Sequence, residues 1–122
     1  MKILGVDYGT KNFGLAWSDT TIGVVLPFGI AKNVSELIKI IQEEKIALIV
    51  MGFPISLTGG ETKNTERVKK TAFEIQKQTG LTVKFFDERF SSQAADAVGG
   101  DVSRDERSAM IILEGYLQRS KK

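Results

Sequence analysis

Residues 2–19, KILGVDYGTKNFGLAWSD, decide the fold. The first seven, Lys2 to Tyr8, form an apolar run that stops at Gly9. Residues 13–19, FGLAWSD, alternate with the two-residue period of a strand. The link Gly9-Thr10-Lys11-Asn12 suits a hairpin turn. Residues 23–30, GVVLPFGI, predict a third strand, and Pro27, which has no ladder donor, assigns it to an edge. An antiparallel meander opens the chain.

The period then changes. Leu37, Ile38, Ile40 and Ile41 among Glu36, Lys39 and Gln42 have helical spacing, with Asn33 or Ser35 as cap. Residues 46–52, IALIVMG, read as a central parallel strand covered on both faces. A loop over 53–62 leads to a helix over 63–79 with Val68, Ala72 and Ile75 on its apolar stripe and Gly80 at its end. Residues 81–87 predict a fifth strand, 91–98 a short helix, and 104–119 a last helix. Three antiparallel strands followed by βα units predict an α/β domain over residues 1–122, a five-stranded mixed sheet with helices on both faces. In such sheets the site lies at the carboxyl ends of the parallel strands.

The 122 residues contain no Cys and no His. Thiolate nucleophiles, imidazole bases and Cys- or His-ligated metals are thereby excluded. Carboxylates, hydroxyls, Lys, Arg and hard cations remain. The formal net charge is only +2, but residues 63–84 carry six basic and two acidic side chains, a local patch for an anion. No apolar run is long enough for a membrane span, and the N-terminus lacks a signal-peptide core, so a cytoplasmic protein is expected.

Three acidic segments stand out. Asp7 ends an apolar strand, where a carboxylate is costly unless it is paired, caps the turn or meets a cation. Asp87-Glu88-Arg89 closes the fifth strand, so one acid faces inward and one outward; a plain polar exit with an Arg89 salt bridge also fits. Asp105 shares a helix face with Ala109, Ile112 and Tyr116, which turns it toward the sheet, although a first-turn acid also complements the helix dipole. Acids converging from three segments repel one another, and Mg²⁺ or Mn²⁺, one or two ions, resolves the repulsion through oxygen-only ligation. Thr10 and Lys11 follow Asp7 directly and offer a hydroxyl and a cation to a phosphate. Lys63, Arg67 and Lys70 continue a basic face from the Ser56–Gly60 loop, as a nucleic-acid backbone requires. Trp17, Phe53, Phe73, Phe85 and Phe86 are assigned to the core.

GVDYGTKNFGLAWSD, IVMGFPISLTGGE, VKFFDERFSS and DERSAMIILEGYL, in this order over essentially the whole chain, resemble the YqgF family, also called RuvX. The resemblance implies an RNase H-like fold similar to the RuvC resolvases. It implies a metal-dependent endonuclease that processes the 5′ end of the small-subunit (16S) rRNA precursor, with ribosomal particles as partners. The alternative is a Holliday junction resolvase acting on branched DNA, as a monomer or a homodimer. By resemblance Asp7, Glu88 and Asp105 are the catalytic and metal-binding acids, with Asp87 the alternate to Glu88. In the nuclease reading Lys11 and Arg89 are expected to position the scissile phosphate. The segment Phe90–Arg104 departs from the family in being short and free of lysine. Two other classes stay open. Asp7-Tyr8-Gly9-Thr10 also resembles the first phosphate loop of sugar kinases, yet 122 residues leave no room for their second lobe. A non-catalytic nucleic-acid binding module is the remaining reading.

Overall fold

The computed structural model describes residues 1–8, 12–53, 63–87 and 104–120; at 53, 63–65, 87, 104–105 and 119–120 it describes the backbone alone. The elements run β1 (Lys2–Tyr8), β2 (Phe13–Asp19), β3 (Val25–Ala31), α1 (Val34–Glu43), β4 (Leu48–Phe53), α2 (Lys63–Thr79), β5 (Val83–Asp87) and α3 (Arg104–Ser120). One five-stranded sheet has the order β3-β2-β1-β4-β5. The β1–β2 and β2–β3 pairs are antiparallel. The β1–β4 and β4–β5 pairs are parallel. This is the mixed sheet expected from the change of period, and Pro27 does lie on an edge strand.

Boundaries differ by one or two residues. β3 begins at Val25 instead of residue 23 because Gly23 adopts φ 70° in the turn, where its N–H bonds the Asp19 carbonyl. β4 and β5 begin two residues later than their apolar runs. Asn33 is the cap of α1, its side chain accepting from the Glu36 N–H at 2.8 Å. Gly80 ends α2 at φ 72°, its N–H reaching the Gln76 carbonyl. The helix expected over 91–98 lies outside the described residues.

Alternation divides β1 between two cores. Leu4 and Val6 pack with Leu37, Ile41, Met51, Val68 and Ile75, the face that α1 and α2 cover. Ile3 packs with Val50, Phe86, Ile112 and Leu113, the face that α3 covers. Helices therefore lie on both faces. Ala109 and Ile112 are buried and Tyr116 half-buried, as their shared stripe requires. Among the described residues no helix is long and apolar enough to cross a membrane.

Two of the aromatic assignments are overturned. Phe73 is 64% exposed and Phe85 43% exposed. Phe73 stands one residue past buried Ala72, a rotation of about 100° that carries it off the packed stripe. Phe85 lies on an edge strand. Phe86 is buried as expected, and Trp17 is half-buried with the Lys2 ammonium 4.8 Å from its ring centroid.

The end of the sheet that holds the first residue of β1 is tied by Asp19. Thr21 donates its backbone N–H at 2.9 Å and its hydroxyl at 2.8 Å to Asp19 Oδ1. These bonds hold the carboxyl below its ordinary value of 3.8, with a smaller contribution from the N-terminal ammonium. A depressed folded-state pKa means that the stabilisation is complete above the unfolded value and is lost as pH falls through the folded one. Asp19→Asn is therefore expected to lower the melting temperature at neutral pH. The gap to wild type narrows as the solution is acidified below 3.8, and thermal melts across that range check it.

Candidate active site

The carboxyl ends of β1 and β4 meet at one rim. Val6 pairs with Met51, and each strand continues past that pair by two residues, to Tyr8 and Phe53. Asp7 stands on this rim, half-buried, two residues beyond Gly5. Residues two apart on a strand share a face, so Asp7 lies on the face that α3 covers. Its partner across β2 is Gly14, which adds no side chain beside the carboxylate. Tyr8 and Phe13, the next pair, turn to the other face and meet edge to face at 5.2 Å.

Gly5 decides how α3 sits over β1. A Cβ at position 5 would lie 2.9 Å from Leu113 Cβ and 3.0 Å from the Ala109 carbonyl oxygen. Ile3, two residues earlier, packs with Ile112 and Leu113, with Tyr116 and Leu117 at the margin of that cluster. Moving up β1 thus means moving back along α3, and the two run antiparallel. Four residues from Ala109 toward the start of α3 advance about 6 Å. Two residues from Gly5 toward the end of β1 advance about 6.6 Å. From the Gly5–Ala109 contact, positions 7 and 105 therefore lie about equally far toward the rim.

β5 brings the third acidic segment to the same rim. Phe53 pairs with Asp87 in parallel register, so the backbone of Asp87 ends β5 level with the end of β4. Glu88, Arg89, Thr10 and Lys11 lie outside the described residues. Among the described residues no three acidic side chains gather as a metal site. Arg67 and Lys70 project from α2 into solvent, and α2 begins at Lys63 as expected.

Arg107 escaped the sequence reading. It is half-buried at the end of the first turn of α3, and its Nε is buried with no hydrogen-bond partner among the described residues. Met110, three residues on, packs with Ala16 and Val25. Arg107 therefore lies on the flank of α3 that faces β2 and β3, toward the rim from Met110. The available signal was a cation three and four residues before Met110 and Ile111, both buried. A guanidinium N–H shut from water without an acceptor costs about 1–3 kcal/mol, and an anion is its natural partner. A surface cleft lined by Ser18, Asp19, Val24, Glu114 and Gln118 opens at the opposite end of β1 and shares no residue with this rim.

Against known proteins, the pattern of the RuvX family, described as Holliday junction resolvase, matches residues 1–119. A protein of Maridesulfovibrio salexigens named "Putative pre-16S rRNA nuclease" is 37% identical over 135 residues, covering 98% of this chain and 100% of the relative. One of the same name from Carboxydothermus hydrogenoformans is 34% identical over 137 residues, covering 100% and 99%. Both aligned spans exceed the 122 residues of this chain, so the relatives carry residues with no counterpart here. In fold, the chain resembles the Thermus thermophilus RuvC structure solved with a Holliday junction substrate, at TM-score 0.73 and 10% identity over 99% of this chain and 95% of the other. The five-stranded mixed sheet is thus the RNase H-like fold. A sequence pattern that runs through all eight elements, together with relatives matched over nearly their full lengths, makes this chain a member of the RuvX family.

Proposed function

We propose that the protein is a divalent-metal-dependent endonuclease, a single nuclease domain that acts in the cytoplasm on the 5′ end of pre-16S rRNA. The observation that supports this reading is the close seating of α3 on β1 at Gly5, from which Asp7 and position 105 both lie toward the same rim. The names of the relatives support rRNA as the substrate. The family description keeps branched DNA as the alternative.

The donor set fits a hard cation. Asp7, Glu88 and Asp105 offer oxygens alone, and Gly14 beside Asp7 leaves room for a ligand. Parity along β5 favours Glu88 over Asp87 as the third acid. Phe86 packs in the α3-side cluster, Val83 in the opposite one, and a strand returns to the same face every second residue. Mg²⁺ or Mn²⁺ bound by these acids supplies an activated water and neutralises charge on the phosphodiester.

The remaining residues hold the strand. Thr10, Lys11 and Arg89 take the scissile phosphate, and Lys63, Arg67 and Lys70 take the flanking backbone. Arg107 takes a further phosphate, which gives its buried Nε an acceptor.

Incubating the protein with a pre-16S rRNA transcript and with a four-way DNA junction, each with Mg²⁺ or Mn²⁺, tests the reading. Cutting of the transcript near the mature 5′ end is expected. Cutting of the junction with the transcript left intact transfers the activity to recombination. Binding of either substrate without cutting, in both metals, reduces the protein to a nucleic-acid binding module.

A further inference from the structure

The outward stripe of α2 carries an aromatic ring between cations. Lys70, Phe73 and Lys77 stand at i, i+3 and i+7, opposite buried Val68, Ala72 and Ile75. All three are exposed, and Phe73, at 64%, is more exposed than any other large hydrophobic side chain described. Lys69, one turn before Phe73, is exposed on the adjoining flank. Glu74, four residues after Lys70, flanks the stripe on the side away from Lys69, its carboxylate accepting from Gln78 Nε2 at 2.5 Å.

A single exposed apolar residue is ordinary. The setting of Phe73 is not. Leaving a Phe in water forgoes most of the gain of burying it, and among the described residues none covers its ring. A protein partner seeks contiguous apolar area with charge at its margin. Here the stripe runs Glu66, Lys70, Phe73, Lys77, a ring between two ammoniums, and among the described residues α2 has no other exposed large hydrophobic side chain. That pattern fits single-stranded nucleic acid, where an unpaired base stacks on an aromatic face and phosphates pass close by. The rise of an α-helix sets Lys70 and Lys77 about 10 Å apart along the axis, with Phe73 between them.

We propose that this stripe is a docking platform for unpaired nucleotides, Phe73 stacking on a base while Lys70 and Lys77 take the adjoining phosphates. Phe73 lies about 15 Å along α2 from Lys63, the end that follows the rim-side strand β4. The nucleotides it holds are therefore ones that flank the cut. That the strand is the rRNA precursor rests on the nuclease reading; the stacking itself does not.

The test is the affinity, by fluorescence anisotropy in EDTA, for a single-stranded RNA oligonucleotide and for the same strand in a perfect duplex. Phe73→Ala is expected to weaken single-strand binding about tenfold, within the range for one lost base stack. Duplex binding stays at the wild-type value. Phe73→Trp restores the affinity, and its added indole emission is quenched by the single strand. Lys70→Ala and Lys77→Ala each lower the salt slope of binding by about one, whereas Phe73→Ala leaves that slope intact. Single-strand affinity unchanged in Phe73→Ala overturns the proposal and turns attention to a protein partner. Equal losses for single strand and duplex overturn it as well. The assay needs no cleavage, so a protein that cuts neither candidate substrate yet binds through Phe73 removes the nuclease reading and keeps the platform. A protein that cuts, with binding indifferent to Phe73, does the reverse.

Discussion

Asp7→Asn is expected to lower single-turnover cleavage about 10³-fold or more while leaving nucleic-acid binding intact or slightly tighter. Asn keeps the shape of Asp and can still accept a hydrogen bond, so β1 keeps its register with β2 at Gly14 and with β4 at Met51. What disappears is one negative oxygen donor at the rim. Metal-assisted charge stabilisation is worth several kcal/mol, and each 1.4 kcal/mol is a factor of about ten in rate. Binding moves the other way because a charge that repels phosphate is gone. Cleavage rates in Mg²⁺ alongside affinities in EDTA separate the two effects. Cleavage within about tenfold of wild type removes Asp7 from the reacting centre. Parallel loss of both signals misfolding, which circular dichroism detects.

Gly5→Ala is expected to destabilise the fold by about 2 kcal/mol and to reduce cleavage as well. On an ordinary strand, Ala for Gly is stabilising, since Gly loses more backbone freedom on folding. Here the added methyl meets Leu113 Cβ at 2.9 Å and the Ala109 carbonyl oxygen at 3.0 Å. Neither is the end of a flexible side chain, so α3 must move as a body. For a chain of this size the melting temperature falls by about 8 °C. The displaced helix carries position 105 with it, so the folded fraction also cleaves poorly, and that loss persists well below the melting range. A melting temperature equal to or above that of wild type contradicts the tight seating of α3 on β1, and with it the geometric basis for pairing Asp7 with Asp105.

The sheet and its helices were legible because their signals are periodic and local. β1 and β2 match their expected ranges, and α2 spans the predicted 63–79, since Thr79 precedes a glycine at φ 72°. The inward face of α3 could be read from Ala109, Ile112 and Tyr116. Phe73 and Phe85 were misassigned because apolar character was allowed to stand for burial. Phe73 is one residue out of phase with Val68, Ala72 and Ile75, and a helix tolerates such a residue in water. Arg107 was passed over because a cation in a charged first turn gives no sign that its Nε is shut from solvent.

By itself, the order of residues determined the elements, the meander followed by βα units, the absence of thiol and imidazole chemistry, and the three acidic segments. Hydrophobic period and residue chemistry are properties of neighbours in sequence, and they need no partner to be read. Only the tertiary structure decided which face Asp7 shares, and with which helix. That α3 crosses β1 at Gly5, and that Phe86 turns toward α3 while Val83 turns away, follow from packing between segments more than a hundred and more than twenty residues apart in the chain. Such contacts are set by the volume left between layers, and no local pattern records that volume.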